Sequence, residues 1–299
     1  MITPDNQSAW VELLSQDIPA FNIEINKIPV SERLMFRDAN LAGLDISQAN
    51  IKHCDLTGTN LAGSSVSGLA LSRCRLQETQ LENVQLDDDY WEPVITQIQM
   101  LWRDVDEWNA FRRTGRPAIL ESANFTGADL GCANLSNMTF TTARFDGARL
   151  GGCNLNDTSF IGASLVNTDC TNLRATSVNF EDAVLDGIRF DRAELRFCKM
   201  RKASAVGASF ILASLMGADM HGIKAFRTCW DGAMLDRVLL FDAHLDGSSF
   251  RNAKLTNCNL IDASLIACVF DYAEAIDNKM TDAITAGASF VGVRGAIGL

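Results

Sequence analysis

Nine cysteines and three histidines are the side chains of this 299-residue chain best suited to ligate a metal, form disulfides or act as nucleophiles. Metal sites need such residues at short, fixed spacing, and no Cys-x-x-Cys pair occurs. Cys54, Cys74, Cys153, Cys198, Cys258 and Cys268 instead alternate with alanine at one position of a five-residue register, which makes them small apolar fillers. His53, His221 and His244 fall at variable positions of the same register. No nucleophile elbow, phosphate-binding glycine loop or HExxH helix is present, and the scattered serines and aspartates fill a polar slot. The expectation is a chain with no catalytic, cofactor-binding or metal site, one that is not an enzyme. Thiols used as filler suit a reducing cytoplasm.

The register itself is the dominant signal. From Leu120 to Phe270 nearly every fifth residue is Leu, Phe, Met or Trp, as in SANFT GADLG CANLS. Two places before each large residue stands a small one, usually Ala. A period of five fits neither the 3.6 of a helix nor the 2 of a strand, so each pentapeptide must be one side of something that turns. A first tract has its centres in another phase, from Phe36 through Leu41 and Ile46 to Leu86, and residues 87–117 interrupt the pattern. The expected organisation is a helical lead-in over 1–33, a first tract over 34–88, a helical insert over 89–117 and a second tract over 118–299.

In the insert, Trp91, Val94, Ile95, Ile98, Leu101, Trp102, Val105, Trp108 and Phe111 follow helical spacing. Acids at its start and arginines at its end complement a helix dipole, and Gly115 and Pro117 stop it. Its aromatic stripe either caps the solenoid or docks a partner through Trp102 and Trp108. Residues 5–16 read as a shorter helix.

Apolar residues make up 47% of the chain and the net charge is −11, so a large core is available and no basic footprint for nucleic acid exists. No apolar run is long enough to span a bilayer, and the N-terminus lacks the pattern of a secretory signal. Cytoplasmic location is expected, with a secreted effector lacking a classical signal left open.

Tandem A-(D/N)-L-x-x resembles the pentapeptide-repeat family, and EWNAFRRTGRPAILESANFTGADL resembles the lead-in that often precedes its tracts. The resemblance implies an all-β solenoid: a right-handed quadrilateral parallel β-helix with four pentapeptides per coil, here with a short N-terminal helix and a helical insert. Centres twenty residues apart should then touch, so Phe190, Phe210, Trp230, Phe250, Phe270 and Phe290 should form one aromatic stack. The ends need caps, and the apolar C-terminus VGVRGAIGL could pair with a second copy in a homodimer.

A filled solenoid leaves its outer surface for function. The first reading is a non-enzymatic interaction scaffold or adaptor, with protein partners of unknown identity. Its candidate contacts are Phe226 and Ile266 in one row, extended by Val206, Phe241 and Ile261 in the next, and the insert. The alternative, implied by the family, is a DNA-mimic that binds a type II topoisomerase and protects it from quinolone-like or peptide toxins. Asp242, Asp262 and Asp282 form the acidic row this would use, but Lys202 and Gly222 precede them and Arg189, Arg192, Arg196, Lys199, Arg201 and Lys202 form a basic belt.

Overall fold

The computed structural model describes residues 3, 5–116, 118 and 120–295, without the side chain of Ser31. It divides into two compact units, Met1–Phe125 and Thr126–Leu299. Both are wound from the same pentapeptide side, and the winding follows from where the backbone hydrogen bonds go.

The side centred on Leu215 shows the rule. The Leu215 N–H donates to the Met234 carbonyl (2.9 Å) and the Gly217 N–H to Asp236 (2.8 Å), both in the coil above; Ser214 N–H donates to Ala193 in the coil below (2.8 Å). The Ala218 N–H turns back to the Leu215 carbonyl (3.2 Å) and closes the corner. The second residue after each centre of the second tract takes a positive φ there, as at Gly217 (+68°) and Asp242 (+56°). Rungs are parallel and step by twenty residues, so four pentapeptides make one coil, right-handed and four-sided. Where the corner opens wider, three-residue strands appear on a single face: β3 (Arg174–Thr176), β4 (Glu194–Arg196), β5 (Met234–Asp236), β6 (Lys254–Thr256) and β7 (Glu274–Ile276) in the second unit.

One N–H per pentapeptide, that of the first residue after the centre, finds no carbonyl in this scheme. Side chains supply it an acceptor in two ways. Asn or Asp just before the centre reaches round its own corner: Asn154 Oδ1 accepts from Asn156 N–H (3.1 Å), Asp169 from Thr171 (3.0 Å) and Asn60 from Ala62 (3.0 Å). This is the physical reason for the D/N letter of the repeat. At several sides where that slot holds serine, an aspartate of the coil below substitutes. Asp186 accepts from Val206 N–H (2.9 Å) and from Ser204 Oγ (2.6 Å), and Asp146, Asp191, Asp231, Asp246 and Asp271 repeat the arrangement.

The axis is filled by the centres. The expected stack from Phe190 to Phe290 is present, with ring centroids 4.0–5.7 Å apart and planes within 27°. A second stack, Phe140–Phe160–Phe180, runs on the opposite face, and the two meet edge-on at Phe180 and Phe190 (5.7 Å, 62°). Cys170 faces the second stack, and Met200, Met220 and Leu240 face the first; all four are fully buried.

The first unit begins with two helices where the sequence suggested one, α1 (Gln7–Gln16) and α2 (Ile18–Ile25). Asp17 ends the first and caps the second, accepting from Ala20 N–H (2.9 Å). Trp10 packs edge-on against Phe21 (5.8 Å), and Phe21 against Phe36 (5.9 Å), so the pair closes the first coil. Strands β1 (Ser65–Val66) and β2 (Gln85–Leu86) pair in parallel. Between them a five-residue helix, α3 (Gly68–Ser72), replaces the plain side expected around Leu71. Gly68 is required there, because a Cβ would lie 2.1 Å from the Trp91 ring.

The insert is also two helices, α4 (Trp91–Arg103) and α5 (Val105–Arg113), rather than one. Asp104 breaks it: its backbone is extended (φ −154°) and its carboxylate accepts from the N–H groups of Asp106 (2.9 Å) and Glu107 (3.1 Å). The insert explains the change of phase. Arg75 pairs with Asn124, a step of 49 residues where every other rung steps 20. Pro117, expected to end the helix, lies outside the described residues, as do residues 296–299 of the apolar C-terminal end.

Replacing Asp186 by Ala should lower the unfolding free energy by about 1 kcal/mol by uncapping Val206. Asp186→Asn keeps an acceptor oxygen and should lose less; urea denaturation of the two variants measures the difference.

Candidate interaction surface

Every chemically reactive thiol but two is withdrawn. Seven cysteines are buried; Cys132 is exposed and Cys229 half-buried. Burial pushes the thiols of Cys54, Cys153 and Cys198 up to about 12 and those of Cys258 and Cys268 up to about 11. Several serve the backbone: Cys74 and Cys153 Sγ donate to the carbonyls of Ile51 and Leu130, twenty-three residues back (3.0 and 2.9 Å). Among the described residues no cluster of His, Cys, Asp and Glu could hold a metal ion.

The outward rows lie on four corners and four faces. Phe226 and Phe241, expected near one corner, flank a single face from its two corners, with Lys224, His244 and Ser264 between them. Each Phe is half-buried against a histidine. Phe241 stacks on His221 (4.7 Å, 4°) and Phe226 on His244 (5.9 Å, 19°). His221 Nδ1 lies 2.9 Å from Asp219, which also receives Arg201 Nε (2.8 Å). Burial alone would raise the Asp219 carboxyl, but the hydrogen bonds from His221 and Arg201 outweigh it and hold it below its ordinary value. Ile261 is half-buried, while Val206 and Ile266 stand about two-fifths exposed, each over a capping aspartate. Asp242, Asp262 and Asp282 are all exposed, one per coil on one corner, and form no ion pair among the described residues.

Burial removes Trp108 as a docking residue, which corrects that reading, whereas Trp102 is half-buried. Trp108 is fully buried. Trp102 donates to the Asn124 carbonyl (3.2 Å), lies 6.1 Å from the Phe125 ring and takes the Arg75 guanidinium over its face at 5.4 Å. Val94, Ile95, Ile98 and Leu101 of α4 are also buried.

A different apolar cluster stands out on the face that carries β4 and β5. Phe197, Leu212 and Met234 are each about half exposed, with Ile211 beside them and Met216 half-buried. Phe197 and Leu212 occupy the left-handed corner position (φ +54° and +57°), where Gly, Asn and Asp are at ease. Each lies over a glycine of the next coil: a Cβ on Gly217 would be 2.7 Å from the Phe197 ring, and one on Gly232 would be 2.7 Å from Leu212. The signal was legible as a large apolar residue in the second place after a centre with Gly twenty residues on. Arg192 and Arg196 edge the patch without an ion pair among the described residues.

A four-sided solenoid filled by its own side chains, with its variable chemistry confined to outward rows, is a repeat scaffold. A family model of pentapeptide repeats matches residues 35–58, 54–88, 118–157, 153–192, 193–228 and 233–274. The chain belongs to the pentapeptide-repeat family. Similar solved structures include a trypsin-treated form of QnrB1, a plasmid-mediated fluoroquinolone resistance protein (19% identity, 58% of this chain and 86% of that chain, TM-score 0.49). Another is HetL from the cyanobacterium Nostoc sp. strain PCC 7120, a pentapeptide repeat protein involved in heterocyst differentiation regulation (22% identity, 64% and 96%, TM-score 0.38). A third is Rfr23 from the cyanobacterium Cyanothece 51142 (13% identity, 58% and 91%, TM-score 0.18). A search of curated proteins finds no match.

With a thiol at about 12, roughly one Cys54 in ten thousand is thiolate at pH 8. Iodoacetamide at that pH should therefore label Cys132 fast, Cys229 slowly and the seven buried cysteines only after unfolding. Peptide mapping by mass spectrometry reads this directly, and rapid labelling of Cys153 or Cys198 in native protein would contradict the burial.

Proposed function

We propose that this chain is a non-enzymatic protein-interaction scaffold whose principal contact surface is the patch of Phe197, Leu212 and Met234. The observation that carries the proposal is the conformation of Phe197 and Leu212. A bulky L-residue in the left-handed region costs roughly 1–2 kcal/mol, and neither side chain gains a buried site in return. Strain kept at an exposed apolar residue is a mark of function rather than of folding. The free Arg192 and Arg196 at its edge suit a partner surface that combines apolar and acidic residues. The rows of Phe226, Phe241, Ile261 and Ile266 are a second contact area on the opposite face. End-to-end pairing of two copies remains a proposal for the C-terminal coil.

Phe197→Asn with Leu212→Asn separates function from folding. The double variant should unfold at the same or a higher temperature than the parent, because Asn accepts the left-handed corner. It should lose the proteins that photo-crosslink to a probe placed at Met234 in the parent. A crosslinking pattern identical in the two proteins would remove this patch as the interface.

A second reading is favoured by one observation, the row of Asp242, Asp262 and Asp282. Three free carboxylates, one per coil at about 4.8 Å rise, imitate a short stretch of phosphate backbone. Binding to a type II topoisomerase would follow. In that case micromolar protein should alter gyrase supercoiling or its inhibition by a quinolone, and Asp262→Asn with Asp282→Asn should abolish the effect.

A further inference from the structure

The end of the first tract departs from the closed winding in a place independent of the Phe197 patch. From Leu41 to Leu76 every centre of this tract is buried to within 1%. Leu81 and Leu86 are only half-buried, so the apolar axis opens at the last coil before the insert. The ladder opens with it. In the coil below, Leu61 and Gly63 donate upward to Gln80 and Glu82 (2.9 Å each). Among the described residues the corresponding N–H groups of Leu81 and Asn83 have no partner and the Val84 carbonyl accepts no hydrogen bond. Beside them, the Thr79 carbonyl is covered by Gln99 Nε2 of α4 (2.9 Å), and the ladder continues only at Arg75, through Asn124, among the described residues.

A groove of about 600 Å³ lies along this edge, between the last coil and α4. Its floor is apolar: Leu71, Leu81, Val84, Leu86 and Ile95. Asp88, Asp89 and Glu92 line it with negative charge. Asp88 is occupied in capping the Tyr90 N–H (2.8 Å), but Asp89 and Glu92 are exposed with no partner among the described residues.

We propose that this groove binds an extended peptide segment carrying alternating apolar and basic side chains, added as one more β-strand on the open coil. Two donors two residues apart and an acceptor beside them are the pattern an incoming strand satisfies, which argues for an extended backbone over a helix. A strand presents alternate side chains to opposite sides, so one set meets the apolar floor and the other the acidic wall. The two free carboxylates select Lys or Arg in the second set.

The test uses the full chain and a fluorescein-labelled octapeptide of alternating Val and Lys with blocked ends. In the free protein the Leu81 and Asn83 amides should exchange with deuterium quickly, and the peptide should slow them at least tenfold. Asp89→Asn with Glu92→Gln, both at exposed positions, should weaken the peptide by tenfold or more in fluorescence anisotropy. The same variant should leave binding of an alternating Val–Thr peptide unchanged. Protection of both amides in the free protein would show that the chain covers its own edge and would overturn the proposal. So would equal affinity of the Val–Lys peptide for parent and variant.

Discussion

One hydrogen bond left over by the winding governs this molecule. Three of the five N–H groups in each pentapeptide tie coils together and a fourth closes the corner, as at Leu215, Gly217, Ser214 and Ala218. The fifth is stranded at the corner, and an unpaired backbone donor there weakens every turn it belongs to. Asn154 answers it from its own coil, and Asp186 from the coil below. Both answers put a short polar side chain at a fixed place in the repeat, which is why the motif has a polar letter at all. The choice between them also shapes the surface. An aspartate that caps upward leaves the residue above it free to be Val206 or Ile266, and this places isolated apolar side chains on an otherwise polar corner.

The axis imposes a second constraint. Two facing sides share a fixed width, so opposite a stacked ring the chain places Cys170, Met200, Met220 or Leu240. The stack changes face once, between Phe180 and Phe190, just above the weak stretch of Cys170 and Ala175. Small residues that look like defects in the repeat are the places where the packing changes side. The same economy explains the cysteines, which fill the space of an alanine and can also donate to a carbonyl of the previous coil.

Because the core and the ladder consume most of the chain, few positions are left unconstrained by the winding. Two kinds occur. Corner positions such as Phe197 and Leu212 carry side chains that the backbone conformation disfavours and no core accepts. Edge positions such as Leu81 and Asn83 keep N–H groups without a partner among the described residues. In each case the informative feature is a local departure from a rule that holds elsewhere in the same chain.

The sequence by itself determined the solenoid, its twenty-residue rung, the aromatic stack from Phe190 to Phe290 and the inward role of Cys54 or Cys198. All of these depend on spacing along the chain, and spacing is what a repeat writes down. Tertiary structure decided the rest. Asp104 splits the insert because a carboxylate there can cap a new helix, an effect hidden inside a continuous apolar stripe. Trp102 and Trp108 are alike by spacing, and only packing buries Trp108 fully while leaving Trp102 half-buried beside Phe125. The step from Arg75 to Asn124 shows that the change of phase marks an inserted helix pair within the ladder. Phe226 and Phe241 share a row type yet sit on two corners, because a face lies between positions five residues apart. Burial, stacking and the fate of individual N–H groups are properties of neighbouring coils, and neighbours twenty or forty-nine residues away are chosen by the fold.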